Sequence, residues 1–110
     1  MFISMSDCIF CGIVSGKIPS KPVYQDSDFI VINDINPRAP VHILVIPKKH
    51  VIDFMDSEEA LLHKLLILLK KLIKEQHVSS YRIVTNGDGA AFIDHFHVHL
   101  MGKIAKDRDL

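Results

Sequence analysis

The stretch His95-Phe96-His97-Val98-His99-Leu100 alternates histidine with large apolar side chains. Because successive side chains of a β-strand point to opposite faces, this alternation predicts a strand over residues 95–101. The three imidazoles are expected to line one face, while the three apolar side chains enter the core from the other. The whole chain of 110 residues holds seven histidines, so this row indicates histidine chemistry.

A row of imidazoles supports two kinds of chemistry. A neutral imidazole is a nucleophile toward phosphorus when one ring nitrogen is unprotonated and the other is held by an acceptor. Neighbouring imidazoles can donate to phosphate oxygens or move a proton to a leaving group. Adjacent histidines also bind transition metals, and the two uses do not exclude each other.

Patterning outward from the histidine row predicts the remaining elements. We expect a short helix or turn over residues 8–15 and strands over residues 23–25, 29–32, 41–46 and 81–85. A long helix is expected from an N-cap at Ser57 to about His77. Because the elements do not alternate as βαβ units, they predict one α+β domain over residues 1–110, with an antiparallel sheet of about five strands.

The predicted long helix carries a wide leucine-rich arc that includes Leu61, Leu65, Leu68 and Leu72. The arc is wider than contact with one sheet face requires. Two interpretations stay open: a helix packed deeply in the core, or a helix that also joins two copies of the chain.

Composition excludes several classes of protein. Thirteen Lys and Arg residues balance thirteen Asp and Glu residues, so no positive surface for a nucleic-acid backbone is indicated. No apolar run approaches the ~20 residues of a membrane span, and residues 1–7 do not resemble a secretory signal. Met5 is an alternative start to Met1. With only two cysteines, a reducing, cytoplasmic location is expected.

Those two cysteines, Cys8 and Cys11, form a Cys-x-x-Cys pair. On its own the pair is a weak metal signal, because the local sequence offers no second pair of ligands. The alternative is two buried cysteines that pack as small apolar side chains. A redox role is disfavoured, since no thioredoxin-like βαβ pattern surrounds the pair.

Taken together, these motifs resemble those of the histidine-triad (HIT) family. Its signature, His-φ-His-φ-His-φ-φ with φ an apolar residue, is matched by residues 95–101. Other segments resemble the family's N-terminal, central and turn segments: Cys8-Ile9-Phe10-Cys11, Gly16-Lys17-Ile18-Pro19, Asp34-Ile35-Asn36-Pro37, His42-Ile43-Leu44-Val45-Ile46-Pro47-Lys48-Lys49-His50 and Asn86-Gly87. The similarity extends from about Cys8 to Gly102 and is closest to the nucleotide-binding, Hint-like branch.

The resemblance implies a HIT-like fold and a hydrolase that cleaves nucleoside 5′-phosphoramidates or related adenylates at the α-phosphate. His97 would attack the α-phosphorus, and the nucleotidyl-histidine intermediate would be hydrolysed to a nucleoside monophosphate. His99 would contact phosphate oxygens or the leaving group, and His42 would flank the site. His95 completes the catalytic group that the family implies.

The resemblance also implies how a nucleotide is held. Asp34 would accept the ribose hydroxyls, and Asn86 would bind near the ribose and phosphate. A purine base would lie in an apolar pocket formed by Ile9, Phe10, Ile13, Ile32 and Ile35. Taken from the residues alone, these five are ordinary core positions. For Asp34 the alternative to ribose binding is a turn-forming aspartate, and both interpretations stay open.

A zinc-bearing subset of the family has the same cysteine pair. There the pair is completed by the histidine after the Ile-Pro-Lys segment and by the first triad histidine, which are His50 and His95 here. With Cys8 and Cys11 they would form a closed tetrahedral site in which zinc is structural. His95 would then be a metal ligand and not a direct catalytic partner. No organic cofactor is expected.

Two departures from the family pattern bear on activity. The Gln and Ser that Hint-like enzymes carry before the triad align with Ala91 and Phe92, so two hydrogen-bond donors are lost. The segment Asp107-Arg108-Asp109-Leu110 lacks the Trp-Pro-Pro-type tail of some relatives. We therefore expect slow turnover or a shifted substrate preference.

The expected partners are a purine nucleoside monophosphate or phosphoramidate and, by resemblance, a second copy of the chain in a homodimer. Two other functions stay open. One is a dinucleoside polyphosphate hydrolase, and the other is a nucleotide- or zinc-binding interaction module with little turnover.

Overall fold

Five antiparallel strands form one sheet in the computed structural model, which describes residues 8–106. The strands are β1 (Tyr24–Gln25), β2 (Phe29–Asn33), β3 (Val41–Pro47), β4 (Arg82–Val84) and β5 (Val98–Gly102). They lie in the order β1-β2-β3-β5-β4. The helices of the described residues are α1 (Ile9–Ser15), α2 (Glu59–Glu75) and a 3-10 helix (Phe54–Asp56). The predicted α+β fold, with about five strands and one long and one short helix, is confirmed.

Some predictions fall on the ends of the chain. The alternative start at Met5, the assessment of residues 1–7 and the departure at residues 107–110 lie outside the described residues. Within residues 8–106, no helix combines the length and apolar character needed to cross a membrane.

Strand β3 lies at the centre of the sheet because its apolar run supplies both faces with core side chains. On one face of the sheet, alternate strand residues pack against α2. The buried side chains of this cluster, from the strands, from α2 and from Phe96, are Phe29, Val31, Ile43, Val45, Leu65, Leu68, Leu69, Leu72, Phe96, Val98 and Leu100. On the opposite face, the remaining alternate strand residues pack against α1. The buried side chains of this second cluster, from the strands and the α1 segment, are Cys8, Phe10, Ile30, Leu44 and Ile46. The sheet thus has an α2 face, which is the main core, and an α1 face.

The leucine arc of helix α2 divides between buried and exposed positions. Leu65, Leu68, Leu69 and Leu72 are buried against the sheet, which confirms the core interpretation for these side chains. Leu66 and Ile67 are exposed.

The predicted bounds of this helix need correction. The N-cap is Glu58, because the Ser57 hydroxyl instead donates to the Asp53 carbonyl (3.0 Å) and closes the 3-10 helix. The helix ends at Glu75, and His77 adopts a positive φ of 50°.

The predicted strand over residues 95–101 begins three residues late, at Val98. Val98 is the first residue of β5 and pairs with Val45 at this end of the ladder with β3. Before Val98 in the chain, the His95 imidazole donates a hydrogen bond to the Pro47 carbonyl at 2.7 Å, and the Phe96 amide donates to the Val51 carbonyl. One side-chain bond and one backbone bond to the Val51 carbonyl thus replace the strand ladder, yet the apolar side chains of the row still reach the main core, as predicted. The other strands and α1 lie within one residue of their predicted bounds.

Candidate functional site

Three imidazoles meet on the α1 face, where β3 and β5 run side by side. His42 lies on β3 and His99 on β5, and the distance from His42 Nε2 to His99 Nδ1 is 2.9 Å. The ring centroids of His97 and His99 are 5.1 Å apart, as are those of His42 and His99. The sheet therefore brings the chain-distant His42 into one contiguous row with two of the triad histidines.

His97 is held in one orientation and one tautomer. Its Nδ1 lies 2.8 Å from the His95 carbonyl oxygen. Because a carbonyl oxygen only accepts, Nδ1 carries the proton and donates, and in the neutral ring Nε2 keeps its lone pair. Only 9% of His97 is exposed, and the Phe10 ring packs edge-on against it with centroids 5.0 Å apart. The geometry thus presents a positioned, unprotonated nitrogen, which a nucleophilic imidazole requires.

His99 is held neutral. Burial lowers its pKa below the ordinary histidine value, and neighbouring His97 and His42 lower the pKa further, while Asp34 opposes them. Its imidazole is therefore uncharged at neutral pH.

Asp34 bonds to a turn and faces the histidine row at the same time. Its Oδ1 accepts from the Asn36 amide at 2.8 Å, as the turn-forming interpretation requires. Its Oδ2 lies 3.3 Å from His42 Nε2 and 3.9 Å from His99 Nδ1. We refer to Asp34, His42 and His99 as the carboxylate cluster.

The five apolar residues assigned to a base pocket occupy different environments. Phe10 is buried, and Ile13 and Ile32 are half-buried beside it on the α1 face. Ile9 is 52% exposed and Ile35 is 91% exposed. The first three are joined in one apolar surface, whereas Ile35 projects from the loop after β2.

Asn86 lies in the exposed loop after β4. The neighbouring Thr85 hydroxyl donates to the His97 carbonyl at 2.9 Å, which anchors this loop beside the histidine row. Asp53 steadies the same loop, because its Oδ2 accepts from the Asp88 amide at 2.8 Å.

Sequence reasoning did not identify three groups that position the site: Thr85, Asp53 and the backbone amide of Arg38. The Arg38 amide donates to His42 Nδ1 at 2.9 Å. Asp53 had a local signal, because an aspartate two residues before Met55 can cap a helical turn, and its Oδ1 does accept the Met55 amide. Thr85 and Arg38 had none, since both act across strands or loops.

The segment before the triad lacks side-chain donors, as its sequence implies. Phe92 is fully exposed and Ala91 is half-buried. The next residue, Ile93, packs on the α1-face core and anchors the segment.

Four metal-ligating side chains converge beside the histidine row, and we call them the thiol cluster: Cys8, Cys11, His50 and His95. Their ligand atoms all lie within 4.8 Å of one another. Cys11 Sγ lies 3.1 Å from His50 Nδ1 and 3.5 Å from His95 Nδ1, and Cys8 Sγ lies 3.3 Å from His95 Nδ1. Zinc bonds of about 2.3 Å to sulfur and 2.0–2.1 Å to nitrogen, at tetrahedral angles, place these atoms about 3.5 Å apart.

The buried His95 presents a lone pair to a cation, whereas the thiols must first lose their protons. His95 is fully buried, and its Nε2 donates to the Pro47 carbonyl at 2.7 Å, so the Nδ1 lone pair faces the thiols. Burial lowers the pKa of His95, which keeps the ring neutral although the bond to Pro47 opposes this. Burial, with the hydrogen bond and charge of Cys8, raises the pKa of Cys11 to about 11. This raised pKa keeps Cys11 a thiol in the absence of metal, so zinc would have to displace the thiol protons. The two sulfur and two nitrogen donors, and the distances between them, fit zinc.

Comparison with known proteins is consistent with this geometry. Residues 7–108 match the family model described as scavenger mRNA decapping enzyme C-term binding. The chain is 34% identical to Protein HitA of Neisseria gonorrhoeae over 104 residues, which are 89% of this chain and 97% of that protein.

Solved structures show the same fold. A HIT family hydrolase from Clostridium thermocellum superposes with a TM-score of 0.86 at 32% identity, covering 97% of this chain and 99% of that one. A Zn-bound histidine triad family protein from Mycobacterium smegmatis gives a TM-score of 0.82 at 29% identity, covering 96% and 81%.

Proposed function

This chain belongs to the histidine-triad family, and on that premise we propose that it cleaves nucleoside 5′-phosphoramidates or related adenylates at the α-phosphorus. The observation that carries the proposal is the tautomer of His97. Its Nδ1–H is held by the His95 carbonyl, so its Nε2 lone pair is available to attack phosphorus.

The reaction proceeds in two displacements. His97 Nε2 forms a bond to the α-phosphorus as the bond from phosphorus to the amine breaks, and the amine leaves with a proton taken from solvent, which the attacking water of the second step returns. The nucleotidyl-imidazole is cationic, and its Nδ1–H still donates to the His95 carbonyl, which stabilises that charge. Water then attacks the phosphorus, a nucleoside monophosphate leaves, and His97 regains its lone pair.

The other roles follow the family pattern as far as the geometry supports them. His99 contacts phosphate oxygens or the leaving group, and His42 supports His99. Asp34 accepts the ribose hydroxyls, and Asn86 binds near the ribose and phosphate. A purine packs on the surface of Phe10, Ile13 and Ile32, and the exposed Ile9 and Ile35 cover it when it is bound.

We further propose that the thiol cluster holds one structural zinc. Zinc supplies no step of the reaction there, because four protein ligands leave no open position for water. It would tie α1 and His50 to His95, whose carbonyl orients the nucleophile. The fit of the sulfur and nitrogen distances supports this assignment.

Assembly and location complete the proposal. A homodimer is supported by the exposed Leu66 and Ile67 on α2, which two copies of the chain would cover. A cytoplasmic location is supported by two free cysteines, which suit a reducing compartment.

One observation favours a second function, a nucleotide-binding module with little turnover. Ala91 and Phe92 have no side-chain donors, and the loss of one donor to a developing oxyanion costs about 10²–10³ in rate. The double variant Ala91→Gln/Phe92→Ser separates the two, because it speeds turnover only if missing donors limit the rate.

The deciding experiment is hydrolysis of a fluorogenic adenosine 5′-phosphoramidate by the wild type, His97→Ala and His63→Ala. His63 is exposed on α2, so its variant controls for loss of a histidine as such. We expect His97→Ala to lower kcat by at least about 10³-fold and His63→Ala to leave it unchanged. Turnover retained in His97→Ala would refute the mechanism. Wild type that binds adenosine monophosphate without turnover would establish the binding module.

A further inference from the structure

The loop between β2 and β3 points a backbone donor at the histidine row. The Arg38 amide lies 2.9 Å from His42 Nδ1. A backbone amide can only donate, so His42 Nδ1 accepts and the proton of the neutral His42 ring is on Nε2.

The same argument from donors and acceptors fixes the tautomer of the neighbouring ring, His99. His42 Nε2–H lies 2.9 Å from His99 Nδ1 and 3.3 Å from Asp34 Oδ2. At the shorter distance His99 Nδ1 must accept, so the proton of neutral His99 is on its other nitrogen, Nε2. Asp34 alone would favour the opposite state, because its carboxylate, 3.9 Å from His99 Nδ1, attracts a proton there.

Two adjacent imidazoles thus carry opposite tautomers. His97 is protonated on Nδ1 and has a lone pair on Nε2, whereas His99 has an N–H at Nε2. Their ring centroids are only 5.1 Å apart. In these tautomers one ring can attack phosphorus while its neighbour donates a hydrogen bond to a phosphoryl oxygen.

The loop is built to keep this donor in place. Pro37, directly before Arg38, has a fixed φ, and the Asn36 amide is bonded to Asp34 Oδ1 at 2.8 Å. The Asp34 amide donates to the His42 carbonyl at 3.0 Å, so both ends of the turn are tied to each other.

We propose that the Arg38 amide is a positioning group: through His42 it sets the tautomer of His99 so that His99 donates its Nε2–H to the substrate phosphate. The catalytic part of this inference rests on the proposed function, whereas the tautomers exist in the free protein. Arg38 acts through its backbone, so its exposed guanidinium plays no part.

The test reads the tautomers directly, by ¹H–¹⁵N correlation spectra of the histidine rings in the wild-type protein. We expect Nε2–H for His42 and His99 and Nδ1–H for His97. A wild-type His99 that is protonated on Nδ1 would overturn the proposal.

Variants then test the chain of hydrogen bonds. His42→Phe removes the donor to His99, and we expect His99 to move its proton to Nδ1, toward Asp34. His42→Gln retains an amide donor and is expected to keep the wild-type tautomer of His99. Arg38→Pro removes the amide N–H, whereas Arg38→Ala keeps it and serves as the matched tautomer control. His42→Phe with an unchanged His99 tautomer would refute the relay even if Arg38→Pro does not fold.

Kinetics with adenosine 5′-phosphoramidate test the catalytic consequence. His42→Phe should lower kcat by about tenfold or more with little change in KM, and His42→Gln should recover most of the loss. If His42→Phe changes the tautomer of His99 as predicted but leaves kcat unchanged, the positioning role is refuted. A wild type without turnover would instead refute the proposed function, and the spectra alone would then decide the relay.

Discussion

The thiol cluster and the carboxylate cluster make an instructive pair, because both lie on the α1 face and both bring their ligand atoms within 4.8 Å. They differ in the hydrogen-bond partner of one ring nitrogen, the nitrogen that points away from the cluster. The histidines compared are His95 in the thiol cluster and His42 in the carboxylate cluster. In the thiol cluster, His95 donates to the Pro47 carbonyl and turns a lone pair toward its neighbours. In the carboxylate cluster, His42 accepts from the Arg38 amide and turns an N–H toward its neighbours.

This difference favours metal binding at the thiol cluster and a hydrogen-bond chain at the carboxylate cluster. A metal ion needs a lone pair on each ligand nitrogen, and of these two histidines His95 offers one while keeping its outer hydrogen bond. For His42 to bind a metal through Nε2, its proton would have to move to Nδ1, opposite the N–H of Arg38. Proximity of histidines and a carboxylate is therefore not sufficient for a metal site.

The largest expected effect comes from breaking the thiol cluster. Cys11→Ala should reduce bound zinc from about one per chain to near zero, because three ligands no longer close the site. It should also remove the stabilisation by the metal, about 4 kcal/mol when free zinc is 1,000 times Kd. Metal analysis and chemical denaturation measure both, with His63→Ala as control. A variant that keeps half its zinc would contradict the assignment.

A smaller effect is expected from breaking the carboxylate cluster. His42→Ala should leave zinc at one per chain, also after incubation with excess zinc, since this cluster is not a metal site. It should lower the unfolding free energy by about 1–3 kcal/mol, because the Arg38 amide and His99 Nδ1 lose their partner. The same metal analysis and denaturation apply. A second zinc in the wild type, absent in His42→Ala, would reverse the comparison.

Acid should weaken the folded state through His99. Its pKa is lowered in the folded protein, so below the unfolded value of about 6.5 the unfolded state binds the extra proton. Stability therefore falls as pH drops from about 6.5 to the folded pKa, by at most about 1.4 kcal/mol per pH unit.

His99→Gln should flatten this slope. Denaturation of both proteins at equal free zinc cancels the contribution of the metal, which also dissociates in acid. Equal slopes for the two proteins would show that His99 is not held neutral by the fold.

The smallest effect is expected at Phe10, which contacts both sites. Its ring packs edge-on against His95, with centroids 5.8 Å apart, and against His97. Phe10→Leu keeps an apolar side chain but loses the ring contacts, so stability should fall by about 0.5–1.5 kcal/mol. Phe92→Leu, at a fully exposed position, should change it by less than about 0.5 kcal/mol. Equal losses in the two variants would mean that the ring contacts are immaterial.

Much of the fold could be predicted because it depends on local pattern. The strict alternation from His95 to Leu100 assigned the apolar side chains to the core, and it did so although residues 95–97 lie outside β5. Boundaries were less predictable, since they depend on partners. Ser57 has the chemistry of an N-cap, but the nearby Asp53 carbonyl takes its hydroxyl.

The sequence by itself determined which residue types form the site, the faces on which they lie and the family to which they belong. Only the tertiary structure decided which hydrogen-bond partner each imidazole meets. Cys8 and His95 are 87 positions apart, and His95 meets a carbonyl 48 positions away, while His42 meets an amide 4 positions away, in the loop before its strand. The tautomer of a histidine follows from the partner of its far nitrogen, and the folded chain supplies that partner.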